Sequence, residues 1–161
     1  MQIKNKKNIL IIFLLSLFVV DLNVCADEFN ITANEILIDK ENEIVIGKGS
    51  VEAVDSEGKT VYADKITYEK FREYLLAEGN VKINDINGNF LTSNKASYDK
   101  INGIITTYGD TELILKEGYK LKGKNILYHT TKKILSSNEN SLFVDSEGNV
   151  VKTTMFQYDI K

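Results

Sequence analysis

The sequence has 161 residues, of which 43% are hydrophobic, and its net charge is −3. This length suffices for one domain with its own core, and the acidic balance, without clustered Lys and Arg, argues against a nucleic-acid partner. Proline and tryptophan are absent, whereas Ile, Val, Thr, Tyr and Phe are frequent. This composition favours an all-β fold.

Residues 1–26 are predicted to be a cleavable signal peptide. Three lysines precede an apolar run of twelve residues, Ile9–Val20, and Ala26 supplies the small residue before the cut. The run is shorter than the about 20 residues that span a bilayer, and an uncleaved anchor is the alternative interpretation. Cleavage would remove Cys25, the only cysteine, and would leave residues 27–161 as an exported, disulfide-free domain with a net charge of −5.

A repeat of thirty residues begins near Phe29 and continues to the end of the sequence. Residues of the same kind recur at this spacing in four columns. The columns are Ala33/Ala63/Ser93/Gly123/Thr153, Ile38/Tyr68/Tyr98/Tyr128/Tyr158, Gly49/Gly79/Gly109 and Gly58/Gly88/Gly118/Gly148. A fixed period of this size is typical of stacked architectures. The sequence therefore predicts about four and a half repeats of antiparallel strands.

Each repeat contains a strand whose side chains alternate between two faces. In the first repeat Val45 and Val51 share one face, Lys48 lies on the other, and Asp55–Gly58 closes the unit as a hairpin. The inward face has large residues near its ends and small residues or glycine in the middle. This thin waist allows the strand to bend sharply, or allows a guest molecule to lie against the backbone.

The inward apolar columns form the candidate binding site. The residues predicted to line it are Val45, Val51, Ile66, Tyr68, Leu75, Val81, Ile83, Tyr98, Ile105, Leu113, Leu135 and Phe143. No Ser/His/Asp set, pair of pocket carboxylates or phosphate-binding loop can be assembled from the sequence. The acidic turns lack the ligand spacing of a calcium loop. The sequence thus predicts a protein that is not an enzyme and needs no cofactor or metal.

The repeat motifs resemble those of the OstA-like (organic solvent tolerance) domain of the lipopolysaccharide transport family. The resemblance rests on Ala63-Asp64, Tyr68-Glu69 and Ala77-Glu78-Gly79-Asn80-Val81, followed by the turn Asp85–Asn89. The third repeat departs from the pattern, with Gly109-Asp110-Thr111 in place of Gly-Asn-Val. The resemblance extends over nearly the whole chain after the predicted signal peptide.

This resemblance implies a β-jellyroll folded over like a taco, with an apolar groove that carries lipid A acyl chains. It implies a periplasmic protein associated with the outer membrane. The implied partners are lipopolysaccharide and other β-jellyroll proteins of the transport system, joined by edge-strand pairing. The resemblance fits two members of the family: a stand-alone bridge (LptA-like), or the N-terminal domain of the outer-membrane assembly protein (LptD).

The sequence is also compatible with two other interpretations. Open strand edges also fit a non-catalytic structural β-solenoid that polymerises, and a repeat stack can form a carbohydrate-binding β-helix. The sequence ends after the first strand of a fifth repeat, which fits either a fragment or an edge that accepts another strand.

Overall fold

A computed structural model describes residues Phe29–Ile160. The predicted signal peptide, with Cys25, lies outside the described residues. Within Phe29–Ile160 the chain consists of strands and short turns. No helix in this range is long and apolar enough to cross a membrane.

The described residues form one antiparallel sheet of thirteen strands. The strands are β1 (Asn30–Thr32), β2 (Glu35–Asp39), β3 (Ile44–Val54), β4 (Thr60–Glu69), β5 (Tyr74–Asn84), β6 (Phe90–Asp99), β7 (Ile104–Ile114), β8 (Lys120–Lys124), β9 (Leu127–His129), β10 (Ile134–Ser137), β11 (Ser141–Val144), β12 (Val150–Thr153) and β13 (Phe156–Asp159).

The thirty-residue repeat is present in the structure. Strands β3, β5 and β7 each have eleven residues and begin thirty residues apart. Strands β4 and β6 follow the same spacing. After β7 the repeat continues with each long strand divided in two, as β8 and β9, β10 and β11, and β12 and β13. The all-β, repeat-built fold predicted from the sequence is therefore confirmed.

Every long strand bends near its middle. The strand pairing shifts register between Lys48 and Val51 in β3, and again between Glu78 and Val81 in β5. Gly49, with φ of +74°, and Gly79, with φ of +78°, occupy these bends. Glycine adopts such positive φ values at little cost, and an irregularity of this kind bends a strand. The glycine column of the sequence thus marks a fold line across the sheet.

The fold line divides the sheet into two arms. Arm A contains β2, β9, β10, β13 and the parts of β3 to β7 within residues 44–48, 65–69, 74–78, 95–99 and 104–108. Arm B contains β1, β8, β11, β12 and the remaining parts of β3 to β7. The arms face each other and enclose one apolar core. The inward apolar columns of the sequence predict two facing sheets that bury them; in the structure the two facing layers are the arms of one bent sheet.

The predicted hairpin turns are present at the end of arm B. The Gly58 N–H donates to the Asp55 carbonyl at 3.0 Å, and the Gly88 N–H donates to the Asp85 carbonyl at 3.2 Å. The Asp85 carboxylate also accepts the Asn89 N–H at 2.9 Å. These carboxylates satisfy turn backbone groups, and within Phe29–Ile160 no group of three or more His, Cys, Asp or Glu side chains is placed to hold a metal ion.

Candidate functional site

The structure brings the predicted site residues together on the inner surfaces of the two arms. Ten of the twelve are buried there, and Val45 and Phe143 are half-buried. Val45 lies near the β2 end of the stack, and Phe143 lies near the β12 end. The predicted residues thus line one continuous apolar interior. Their contact with a lipid stays a prediction.

The small residues of the waist let the arms approach closely at the fold line. A Cβ atom on Gly47 would lie 2.9 Å from Val51 Cγ1 and 3.2 Å from the Ala33 Cβ. These separations leave no room for a side chain, and still less for a guest molecule. The sequence predicts that the thin waist either allows a sharp bend or leaves room for a guest molecule. At Gly47 it allows the bend and the close approach of the arms.

The inner side of the fold line becomes polar in the third repeat. Thr107 and Thr111 occupy positions that are alanine and valine in the second repeat. Thr111 Oγ1 donates to Thr107 Oγ1 at 2.7 Å, and Thr107 Oγ1 accepts the Ile126 N–H at 2.9 Å. Both threonines are buried. The Thr107 hydroxyl thus supplies an acceptor for the Ile126 N–H, where the strand is interrupted between β8 and β9.

Thr107→Val is expected to lower the free energy of unfolding by about 1–3 kcal/mol, because it leaves the Ile126 N–H buried without an acceptor. The measurement is urea unfolding of both proteins. Thr106→Val serves as the control, since Thr106 is the outward neighbour on the same strand. Equal losses for the two variants would contradict the role given to the Thr107 hydroxyl.

The arms meet at their far ends through Lys59. Its ammonium donates to Tyr98 OH and to Asp55 Oδ2, both at 3.3 Å, and lies 4.4 Å from the Tyr98 ring centroid. The Asp55 side chain is fully shielded, and the Lys59 side chain is 12% exposed. Burial lowers the pKa of Lys59, but Tyr98 and Asp55 outweigh burial and hold this pKa above its ordinary value. The opening between the arms, at their ends away from the fold line, is called the mouth below. Lys59 closes it as an ammonium.

The aromatic side chain of Phe29, which precedes β1, packs against the same mouth. The Phe29 ring meets Tyr68 edge-on, with centroids 5.1 Å apart, and also meets Tyr98 at 6.2 Å. Edge-to-face pairs of this kind are favourable contacts. Phe29 and Lys59 together cover the interior beside Tyr68 and Tyr98, in the second and third repeats. Sequence reasoning missed this closure. The available signal was that Lys59 is the only cation in the column Lys59/Asn89/Tyr119/Asn149.

The interior is also closed near its other end. Phe143 of arm B and Phe156 of arm A stack edge-on, with centroids 4.7 Å apart. Beside them lies a cavity of about 10 Å³ between Leu113, Leu135 and Tyr158. This volume is at most enough for one water molecule. The described conformation is therefore a closed one at this point.

Both ends of the stack expose apolar residues on edge strands. Ile38 of β2 is 64% exposed, and Val151 of β12 is 59% exposed. Val151 belongs to the apolar column Val61/Leu91/Leu121/Val151, which the thirty-residue period predicts to be core. The first three residues are buried, but Val151 is exposed because no further repeat covers it in the described chain, so the prediction is wrong at this position. Edge strands carry backbone groups that can pair with another strand.

The comparisons with known proteins give a structural match but no sequence match. No protein-family model matches the sequence, and no curated protein matches it. The chain is similar to the crystal structure of LptH, "the LptA homologous periplasmic component of the conserved lipopolysaccharide transport device from Pseudomonas aeruginosa", with a TM-score of 0.64 and 12% sequence identity. The match covers 84% of this chain and 96% of that one. The described chain therefore has an LptA-like fold, an open antiparallel β-jellyroll.

Proposed function

We propose that this protein is a transport module that shields the acyl chains of a glycolipid, lipopolysaccharide, between its two arms in the periplasm. The observation that carries the proposal is the continuous apolar inner surface, which extends through successive repeats from β3 to β11. The LptA-like fold supports it. In this proposal residues 1–26 direct export, and Leu75, Ile83 and Leu113 belong to the acyl-binding surface.

The physical need for such a surface is large. Burying one CH₂ group is favourable by about 0.8 kcal/mol. Moving an acyl chain of about 12 carbons from an apolar surface into water therefore costs roughly 10 kcal/mol of free energy. A carrier must offer a dry surface along the whole path. A stack of repeats supplies one, because the same inward columns recur in each repeat.

Lipid entry in this proposal requires the arms to separate. The contacts that must open are the Lys59–Tyr98 hydrogen bond, the Phe29 packing on Tyr68, and the Phe143–Phe156 stack. These contacts lie between the arms, so breaking them leaves the strand pairing within each arm intact. The mouth can therefore open without unfolding the sheet.

Tyr98→Phe is expected to make the mouth open more easily. The variant keeps the ring that packs on Phe29 and removes the hydroxyl that accepts from Lys59, at a cost of about 0.5–1.5 kcal/mol in stability. We expect faster uptake of a fluorescent acylated glycolipid in stopped-flow measurements. The control is Tyr62→Phe, which removes a hydroxyl bonded to Glu52 at 3.2 Å on the outer face. Unchanged uptake in Tyr98→Phe would contradict the gating role of Lys59.

Site-specific photocrosslinking tests which face holds lipid. Benzoylphenylalanine at Tyr98, on the inner face, should capture lipopolysaccharide, whereas the same probe at Tyr108 should not. Tyr108 lies on the outer face of β7 and is 42% exposed. Both replacements exchange one aromatic side chain for another, so the two variants are matched. Equal capture at the two positions would refute an internal lipid site.

We also propose that copies of this chain, or related β-jellyroll proteins, join end to end by pairing edge strands. The exposed apolar residues at both ends support this, because joining would bury them. A joined stack would extend the inner surface toward the outer membrane. This arrangement fits a bridge of the LptA type.

Gln157→Pro is expected to reduce self-association at least severalfold. The Ile160 N–H donates to Lys133, so the antiparallel pattern directs the N–H of Gln157 away from β10. Proline removes that free donor without removing a bond within the sheet. Analytical ultracentrifugation should show fewer dimers than for Gln157→Ala, which keeps the donor. The same dimer fraction in both variants would exclude pairing through β13.

A structural role without lipid transport is the second candidate. The closed interior beside Phe143 and the apolar ends favour a packed solenoid that polymerises through its edges. The crosslinking experiment separates the two candidates. A filled interior gives no lipid capture at Tyr98, whereas a transport module gives it.

A further inference from the structure

A long groove runs across the outer face of arm B, beside the fold line. Its volume is about 1160 Å³. Six neighbouring strands each contribute three consecutive residues to its lining. The contributing segments are 80–82 of β5, 92–94 of β6, 110–112 of β7, 122–124 of β8, 140–142 at β11 and 152–154 at β12.

The alternation of side chains explains the shape of this groove. The middle residue of each triplet points toward the core, and the two flanking residues point outward. The middle residues are small in most strands, including Ser93, Gly123 and Ser141. The outward side chains form two parallel walls, and the backbone forms the floor. Six strands at a spacing of about 4.8 Å give a groove about 24 Å long.

The groove has an excess of positive charge in a protein whose net charge is −3. Four lysines and two carboxylates line it. The Lys122 ammonium pairs with Glu112 at 3.2 Å, and the Lys124 ammonium pairs with Asp110 at 3.5 Å. Lys82 and Lys152 make no ion pair with any residue of the described chain. They lie on the two outermost strands of the groove, so unpaired ammonium groups stand at both ends.

Neutral polar side chains occupy much of the remaining wall. Thr92, Asn94, Asn140 and Thr154 line the groove, and within the described chain their side chains make no hydrogen bonds. Amide and hydroxyl groups can each donate and accept. A row of them with free hydrogen-bonding capacity suits a ligand that is rich in hydroxyl groups.

We propose that this groove binds a linear acidic oligosaccharide that carries carboxylate groups. The unpaired lysines supply charge complementarity at the two ends, and the Asn and Thr side chains bond sugar hydroxyls between them. A peptide fits less well, because the groove crosses the middle of a sheet whose backbone groups are already paired, whereas extended peptides add to a sheet edge. No aromatic residue lines the groove, so it also lacks the stacking platform that single-stranded nucleic acids need.

Isothermal titration of the full chain with hexagalacturonate, a linear carboxylated hexasaccharide, tests this proposal. We expect saturable binding that weakens with added salt, because screening reduces the attraction of exposed charges. The double variant Lys82→Ala, Lys152→Ala should weaken binding by about fivefold or more. The matched control is Lys40→Ala, Lys120→Ala, which removes the same charge from exposed lysines outside the groove. Circular dichroism checks that both variants fold.

Four other outcomes of this experiment would overturn the proposal. Equal weakening in the two double variants would show that only net charge matters. Equally tight binding of maltohexaose would show that acidic groups are not recognised, and tighter binding of hexaglutamate would assign the groove to an acidic peptide. The absence of saturable hexagalacturonate binding would exclude the ligand class. The groove lies outside the interior, so none of these results bears on lipid capture at Tyr98.

Discussion

Leu75→Ala is expected to lower the free energy of unfolding by about 2–5 kcal/mol, the range for removing a large side chain from a packed core. Leu75 lies on the inner face of β5 and is only 1% exposed. It pairs with Tyr68 on one neighbouring strand and Tyr98 on the other. Urea unfolding, read from the midpoint and slope, measures the change.

Leu76→Ala is the control for this prediction. Leu76 is the next residue of the same strand, is half-buried, and lies on the outer face. We expect Leu76→Ala to lower the free energy of unfolding by less than about 1 kcal/mol, because folding removes less of the Leu76 side chain from water. A loss at Leu76 equal to that at Leu75 would contradict the assignment of inner and outer faces.

Gly79→Ala is expected to destabilise the protein by about 2–4 kcal/mol. Part of this loss comes from the positive φ of +78°, which costs an alanine about 1–2 kcal/mol. The rest comes from a collision, because a Cβ atom on Gly79 would overlap the Asp64 carboxylate and lie 2.9 Å from the Asp64 Cβ. Moving Asp64 aside would also break its hydrogen bond from the Asn80 amide at 2.9 Å.

Gly109 provides a matched control at the same column of the repeat. Its φ of +81° is nearly that of Gly79, but a Cβ atom there would have no neighbour within 4 Å. We therefore expect Gly109→Ala to lose only the conformational part, about 1–2 kcal/mol. Thermal unfolding of the two variants side by side measures the difference. If Gly109→Ala loses as much as Gly79→Ala, the collision with Asp64 contributes nothing.

The sequence predicted the features that follow from local periodicity. The spacing of Tyr68 and Tyr98, and of Gly58 and Gly88, placed strands and turns in register, because side-chain alternation and turn chemistry depend on near neighbours. The same periodicity placed Leu75 and its equivalents on the inner face. These features repeat four times in the chain, so each repeat supports the interpretation of the others.

The closure of the mouth could not be predicted in this way. Lys59 and Tyr98 are separated by 39 residues and belong to different columns of the repeat. Their contact depends on the twist and bend of the sheet, which bring the turn that closes the first repeat beside β6 of the third. The thirty-residue period carries no information on that offset.

The outer groove was missed for a different reason. Lys82, Lys122 and Lys152 read as the ordinary polar face of half-exposed strands. The groove is recognised because two of its lysines have no ion-pair partner and because six strands align their outward side chains. Both features are visible only in the three-dimensional structure. The exposure of Val151 likewise depends on where the described stack ends, because its column is buried in the preceding repeats.

Intact mass spectrometry of the natively exported protein, recovered without detergent, tests the central claim most directly. We expect a population whose mass exceeds that of the chain by one glycolipid, and fragmentation should release lipid A acyl chains from it. The added mass should be lost when the protein unfolds, since the lipid is held by packing alone. A fully exported protein with only the mass of its polypeptide, together with no lipid capture at Tyr98, would contradict lipid transport and favour the structural solenoid.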